Sequence, residues 1–178
     1  IYNSLRMTDS IIVDPEVQEY LQDVGQKLAA NAQDGGFRFQ FFVVDDPAIN
    51  AFALPGGYIG VHSGLFMATA NESQLAGVLA HEIAHVTQRH ISRAVFANQR
   101  ESILSMAAML GAILVGAATG SGEAIQGAIM GAQSLSAQAQ INFTRSNEYE
   151  ADRVGVGILA KSGFDPEGMP EFFQTLNR

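Results

Sequence analysis

Two histidines four residues apart, His81 and His85, with Glu82 next to the first, constrain this chain more than any other feature. They stand in the segment Asn71 to Ala94, which reads as one long helix. An α-helix turns about 100° per residue, so residues four apart lie about 40° apart on one face, and two imidazoles so placed can bind one metal ion. Glu82 lies about 60° from His85, close enough to reach a water on that metal without ligating it. Asn71 and Gln74 make a start resembling a capping box, and Leu75, Val78, Leu79 and Val86 make the buried stripe. The histidines flank that stripe, where an unpaired polar group is costly. Two surface histidines with a stray acid would be the bland alternative.

The spacing is H-E-x-x-H, in which the histidines hold zinc and the glutamate is the general base of hydrolysis. A catalytic zinc normally takes three protein ligands and keeps one position open. No third histidine suits: His90 stands about 140° round the helix from His85, and His62 follows a short strand, so both read as structural. The segment Ser146 to Lys161 reads as a helix carrying Glu148, Glu150 and Asp152. Its apolar face is Ala151, Val154, Gly155, Ile158 and Leu159. Glu148 extends that face by one turn, while Glu150 falls with Arg153, Gly157 and Lys161 on the exposed side. Glu148 is therefore the expected third ligand. Asp152, four residues later, can receive the free N–H of a zinc-bound histidine, which orients the ring and raises its basicity. Taken alone, this helix reads equally as ordinary surface charge; the nearby motif shifts the balance.

Length and charge narrow the class further. A chain of 178 residues is the size of one domain. Its net charge of −8, with 10 Lys plus Arg, leaves no basic footprint for nucleic acid. The absence of cysteine removes disulfides, thiolate metal sites and cysteine nucleophiles. Starting at Ile1 with no charged-then-apolar leader, the chain reads as a processed piece of a longer protein, with no signal peptide in view.

Along the chain, Asp14-Pro15-Glu16 opens a helix to about Ala30, with Val17, Tyr20, Leu21, Val24 and Leu28 at helical spacing. Phe37 to Val44 reads as a strand, and Asp45-Asp46-Pro47 as a turn. Asn50 to Leu54 and Tyr58 to Val61 read as short strands joined at Pro55-Gly56-Gly57. Gly57, Tyr58, Ile59, Gly60 and Val61 are the expected edge on which an extended polypeptide adds as a strand. From Ser102 to Thr144 the only charged residue is Glu123. This arm reads as a helical hairpin or lid, interrupted at Thr119 to Gly122 and too weakly hydrophobic to span a bilayer. Asp165-Pro166-Glu167 opens a last helix to about Asn177.

Three stretches in this order, N-A-F-A-L-P-G-G-Y-I-G-V-H-S-G-L, H-E-I-A-H-V-T-Q-R-H and N-E-Y-E-A-D, resemble the gluzincin family of the CAAX prenyl endopeptidase, the HtpX heat-shock protease and the Oma-type proteases. The periplasmic BepA-like branch is nearest, and the likeness covers about Asn50 to Gly163. It implies an α+β, mainly helical, zincin-like domain with a small sheet beside the motif helix, residues 102–144 being an arm on a single catalytic domain. It implies one Zn²⁺ on His81, His85 and Glu148, Glu82 as base and Asp152 as orienting acid. It also implies unfolded or misassembled envelope polypeptides as substrates, a periplasmic or envelope location, and outer-membrane assembly machinery as a partner. Family members continue with a further histidine near the metal, for which Arg145 and Tyr149 are the nearest substitutes here. A chaperone-like binding module with a structural or covered zinc is the rival class.

Overall fold

The computed structural model describes residues 10–33, 36–119 and 122–176. Asp14 caps helix α1 (Pro15–Ala29) by accepting hydrogen bonds from the N–H groups of Glu16 at 2.9 Å and Val17 at 3.2 Å. Leu21, Val24 and Leu28 of its apolar face are buried.

Three strands follow, β1 (Gln40–Val44), β2 (Ala51–Leu54) and β3 (Tyr58–His62), in the order β1-β3-β2. β3 runs parallel to β1 and antiparallel to β2. Gly56 and Gly57 turn between β2 and β3 at φ of 95° and 88°, which a side chain would oppose. The first strand starts at Gln40, not Phe37, because Gln40 faces Tyr58, the first residue of its partner.

The sheet order corrects one expectation. Gly57, Tyr58, Ile59, Gly60 and Val61 do not form a free edge, since β3 is central and hydrogen-bonded on both sides. Gly60 serves packing instead: a Cβ there would lie 2.5 Å from the Phe52 ring and 2.9 Å from that of Phe42. The outer edge of β1 is also taken. Ile12 N–H donates to the Val43 carbonyl, Asp45 N–H to the Ser10 carbonyl, and Gln18, Gln22 and Gln26 of α1 bond the backbone at Phe41 and Phe39. Among the described residues, no strand lies against the far side of β2.

After α2 (Ser63–Ala68) comes the motif helix, α3 (Glu72–Thr87). Asn71 Oδ1 accepts from Gln74 N–H, and Gln74 Oε1 reaches back to Ala70 N–H. The expected helix through Ala94 is cut short. Gln88 N–H donates to the Ala84 carbonyl, Arg89 takes φ 55° in the left-handed region, and a new helix starts at His90. Glycine usually occupies such a position, so nothing in the residues marks the break. Leu75, Val78, Leu79 and Ile83 of α3 pack with α1 and the core face of the sheet, Phe41, Val43, Ile59 and Val61.

The remaining helices are α4 (His90–Thr119), α5 (Gly122–Lys161) and α6 (Gly168–Leu176), the last packed on α3. The expected helix Ser146 to Lys161 is the end of a longer one. Residues 122–145 contain no proline, and their glycines weaken a helix by about 0.8 to 1.0 kcal/mol each without breaking it. Of the expected interruption at Thr119 to Gly122, residues 120 and 121 lie outside the described residues, as does the expected end of the last helix at Asn177.

The described residues of Ile1–Arg89 and Tyr149–Arg178 form one compact unit, and those of His90–Glu148 form another, longer than the expected arm 102–144. Within the second, Ser136 Oγ donates to Glu101 Oε2 at 3.2 Å, and a cavity of about 280 Å³ lies between Glu101, Leu104 and Ala108 on one helix and Ala132, Leu135 and Ala139 on the other. Ile103, Met106, Leu110, Leu114, Met130 and Leu135 are all exposed. Among the described residues no helix is long and apolar enough to cross a membrane. A segment with so few buried apolar contacts opens easily. Amide hydrogen exchange is therefore expected to be fast across residues 122–140 and slow across residues 75–86; equal, slow protection of both would contradict this.

Candidate metal centre

The motif helix sets the two imidazoles together at the edge of the core. His81 is 8% exposed and His85 is half-buried. Their Nε2 atoms lie 3.0 Å apart and their rings 4.7 Å apart. The other nitrogen of His81, Nδ1, lies 2.9 Å from Asp152 Oδ1. This leaves Nε2 as the atom His81 presents to a metal.

Asp152 arrives there because α5 crosses α3 at a glycine. A Cβ on Gly155 would lie 3.1 Å from the backbone nitrogen of His81 and 3.2 Å from the Ala80 carbonyl carbon, so the helices approach closely at the first ligand. Asp152 and Glu148 precede Gly155 by three and seven residues and share its face of the helix. One nitrogen from each of His81 and His85 and a carboxylate oxygen of Glu148 all lie within 4.8 Å of one another. Glu150 is not in that group, nor are His62 and His90.

The donor set fits a zinc ion. Two nitrogens on a tetrahedral zinc, each bonded at about 2.0 to 2.1 Å, stand about 3.3 Å apart, close to the 3.0 Å seen between the Nε2 atoms. The orienting carboxylate on the far nitrogen of His81 is the usual companion of a metal-bound imidazole. Glu82, next to His81 and half-buried, lies on the same helix without belonging to the ligand group.

The family model for peptidase family M48 matches residues 15–177. The chain belongs to peptidase family M48. Among its relatives, a putative beta-barrel assembly-enhancing protease of Vibrio cholerae is 48% identical over 172 residues, covering 97% of this chain and 35% of the relative. The beta-barrel assembly-enhancing protease of Escherichia coli K12 is 44% identical over 172 residues, with the same two shares. More distant is the mitochondrial metalloendopeptidase OMA1 of Arabidopsis thaliana, 26% identical over 170 residues, 96% of this chain and 32% of the relative. The chain thus spans about a third of the length of the curated relatives it matches. M48 membership and these names support the enzyme class expected from the residues, a metalloendopeptidase, and the mainly helical α+β fold agrees with it.

Other candidates in this M48 domain fall elsewhere. His62 ends β3, its buried Nδ1 without a hydrogen bond and 3.7 Å from Asp46 Oδ1, its ring edge-on to Phe52. His90 is buried at the first position of α4. Asp46 Oδ1 accepts from Ala48 N–H, as a turn former does. Tyr149 is 73% exposed, and Arg145 is exposed. One contact escaped the sequence: Phe173 of α6 stands edge-on against the His81 ring, centroids 5.6 Å apart at 67°. No spacing marks Phe173, which follows the buried Phe172 directly; only the packing of α6 on α3 brings it there.

Proposed function

We propose that this domain hydrolyses peptide bonds in unfolded or extended polypeptides, with one zinc ion held by His81, His85 and Glu148. The observation that carries the reading is the convergence of those three ligand atoms within 4.8 Å, with Asp152 on the far nitrogen of His81. If held by His81, His85 and Glu148, a zinc ion would lower the pKa of a bound water toward neutrality and polarise the scissile carbonyl. Glu82 takes the proton released as the peptide carbon is attacked and delivers it to the departing amine nitrogen. Asp152 keeps the His81 ring in the tautomer whose Nε2 faces the metal. With β3 internal, the polypeptide pairs instead with the outer edge of β2, the strand alongside which the motif helix packs. Main-chain pairing of this kind reads backbone more than side chains, which suits unfolded clients.

The relatives named beta-barrel assembly-enhancing proteases support a role in β-barrel assembly, with which envelope polypeptides as substrates, outer-membrane assembly machinery as a neighbour and a periplasmic or envelope location are consistent. A second reading, a module that holds clients without cutting them, is favoured by the exposed Ile103, Met106, Leu110 and Leu114 of α4. Cleavage of an unfolded casein decides between them. The expected result is cleavage that stops with a chelator and returns with added zinc; a zinc-loaded chain that binds the casein and leaves it intact would favour the second reading.

A further inference from the structure

Beside the candidate metal centre lies a cavity of about 330 Å³ lined by Asp152, Val156, Met169, Pro170, Phe173 and Gln174. Two of these six touch the His81 ring: Asp152 through Nδ1 and Phe173 edge-on. The cavity therefore begins where the expected metal ligand ends. Four of its residues are apolar, Met169 at 2% exposure lies deepest, and Val156 stands one turn beyond Asp152 on α5.

We propose that this cavity is a specificity subsite that takes one apolar side chain of the polypeptide, leucine- to phenylalanine-sized, from a residue flanking the scissile bond. The inference rests on the peptidase reading above and adds the side chain it selects. Size, lining and charge each point to this occupant. At about 330 Å³ the cavity is at the small end of ligand pockets, enough for one side chain and too small for several residues. The thioether of Met169 adapts to differing shapes, so a range of aliphatic and aromatic side chains is admitted. The Asp152 carboxylate, its side chain 49% exposed, puts negative charge on the wall, so aspartate and glutamate are rejected. A residue flanking the scissile bond is the one seated there, because the cavity shares Asp152 and Phe173 with the immediate surroundings of the His81 ring.

The test uses the zinc-loaded chain and its Val156→Phe and Val156→Ala variants, the first narrowing the cavity and the second enlarging it. Cleavage sites in unfolded casein, read by mass spectrometry, are expected to show one flanking position enriched in leucine, methionine and phenylalanine and depleted of acids. In Val156→Phe the ratio of leucine to glycine at that position falls by about tenfold or more, the scale of small changes in an apolar pocket. In Val156→Ala the optimum moves to larger side chains, which also decides the matter where the phenylalanine variant fails to fold. Binding gives a readout separate from turnover: in a Glu82→Gln background, a leucine peptide binds more tightly than its glycine and glutamate counterparts, and Val156→Phe removes the difference. Cleavage with no positional preference, or a preference that neither variant moves, overturns the subsite and leaves the peptidase reading standing. No cleavage by the parent chain overturns that reading, and the subsite with it.

Discussion

Glu82→Gln is expected to keep the fold and the zinc while peptide hydrolysis falls by about 10² to 10⁴, the range that a positioned general base contributes. The amide has nearly the same shape and makes similar hydrogen bonds, yet it does not accept a proton. Glu82 belongs to the motif helix beside a buried ligand, His81, and stands outside the ligand group, so the change leaves all three metal donors in place. Zinc content per chain and the rate of casein cleavage, measured on the same sample, check both halves. Undiminished cleavage would remove Glu82 from the role of base, and zinc lost along with activity would mean that the glutamate supports the metal itself. The variant also separates the two functional readings: a holding module keeps its client affinity and loses nothing else.

Much of this protein was legible because its signals are local. Asp14-Pro15 determines a helix start through one side chain and one ring, and Gly56-Gly57 determines a turn through φ, with no help from distant residues. The wheel argument that set Glu148 apart from Glu150 is local too; a Glu148 carboxylate oxygen does lie within 4.8 Å of the histidine nitrogens, yet Glu148 is exposed and Glu150 partly buried, the reverse of the burial expected from the wheel. What was not legible depends on contacts far apart in sequence. Tyr58 to Val61 has the composition of an edge or a central strand alike; only the pairing with Gln40 to Val44 decides, and that makes it central. Gly60, expected on a strand edge open to a polypeptide, lies instead against the rings of Phe52 and Phe42. The stop at Arg89, where φ is 55°, has no glycine or proline to announce it. Phe173 reaches His81 only through the packing of α6 on α3, 92 residues away in sequence (173 − 81).

The largest effect on metal affinity is expected from Glu148→Ala, and the order of three acidic variants on α5 tests the whole arrangement. In the proposed site, a carboxylate oxygen of Glu148 lies within 4.8 Å of one nitrogen from each of His81 and His85. Without it two imidazoles remain, fewer than the three protein donors a catalytic zinc normally takes. Asp152 donates no ligand atom; it holds His81 through Nδ1 at 2.9 Å. Losing such an outer partner typically costs about 10- to 100-fold in metal affinity or activity, so Asp152→Ala binds zinc measurably but weakly. Glu150 stands outside the ligand group, and Glu150→Ala is expected to bind zinc as the parent does. Competition of each variant with a chelating dye gives the three affinities. A Glu150→Ala loss exceeding that of Glu148→Ala would refute the assignment of the third ligand. Equal losses in Glu148→Ala and Asp152→Ala would mean that the two carboxylates share one role, contrary to the proposal of Glu148 as ligand and Asp152 as the partner of His81 Nδ1.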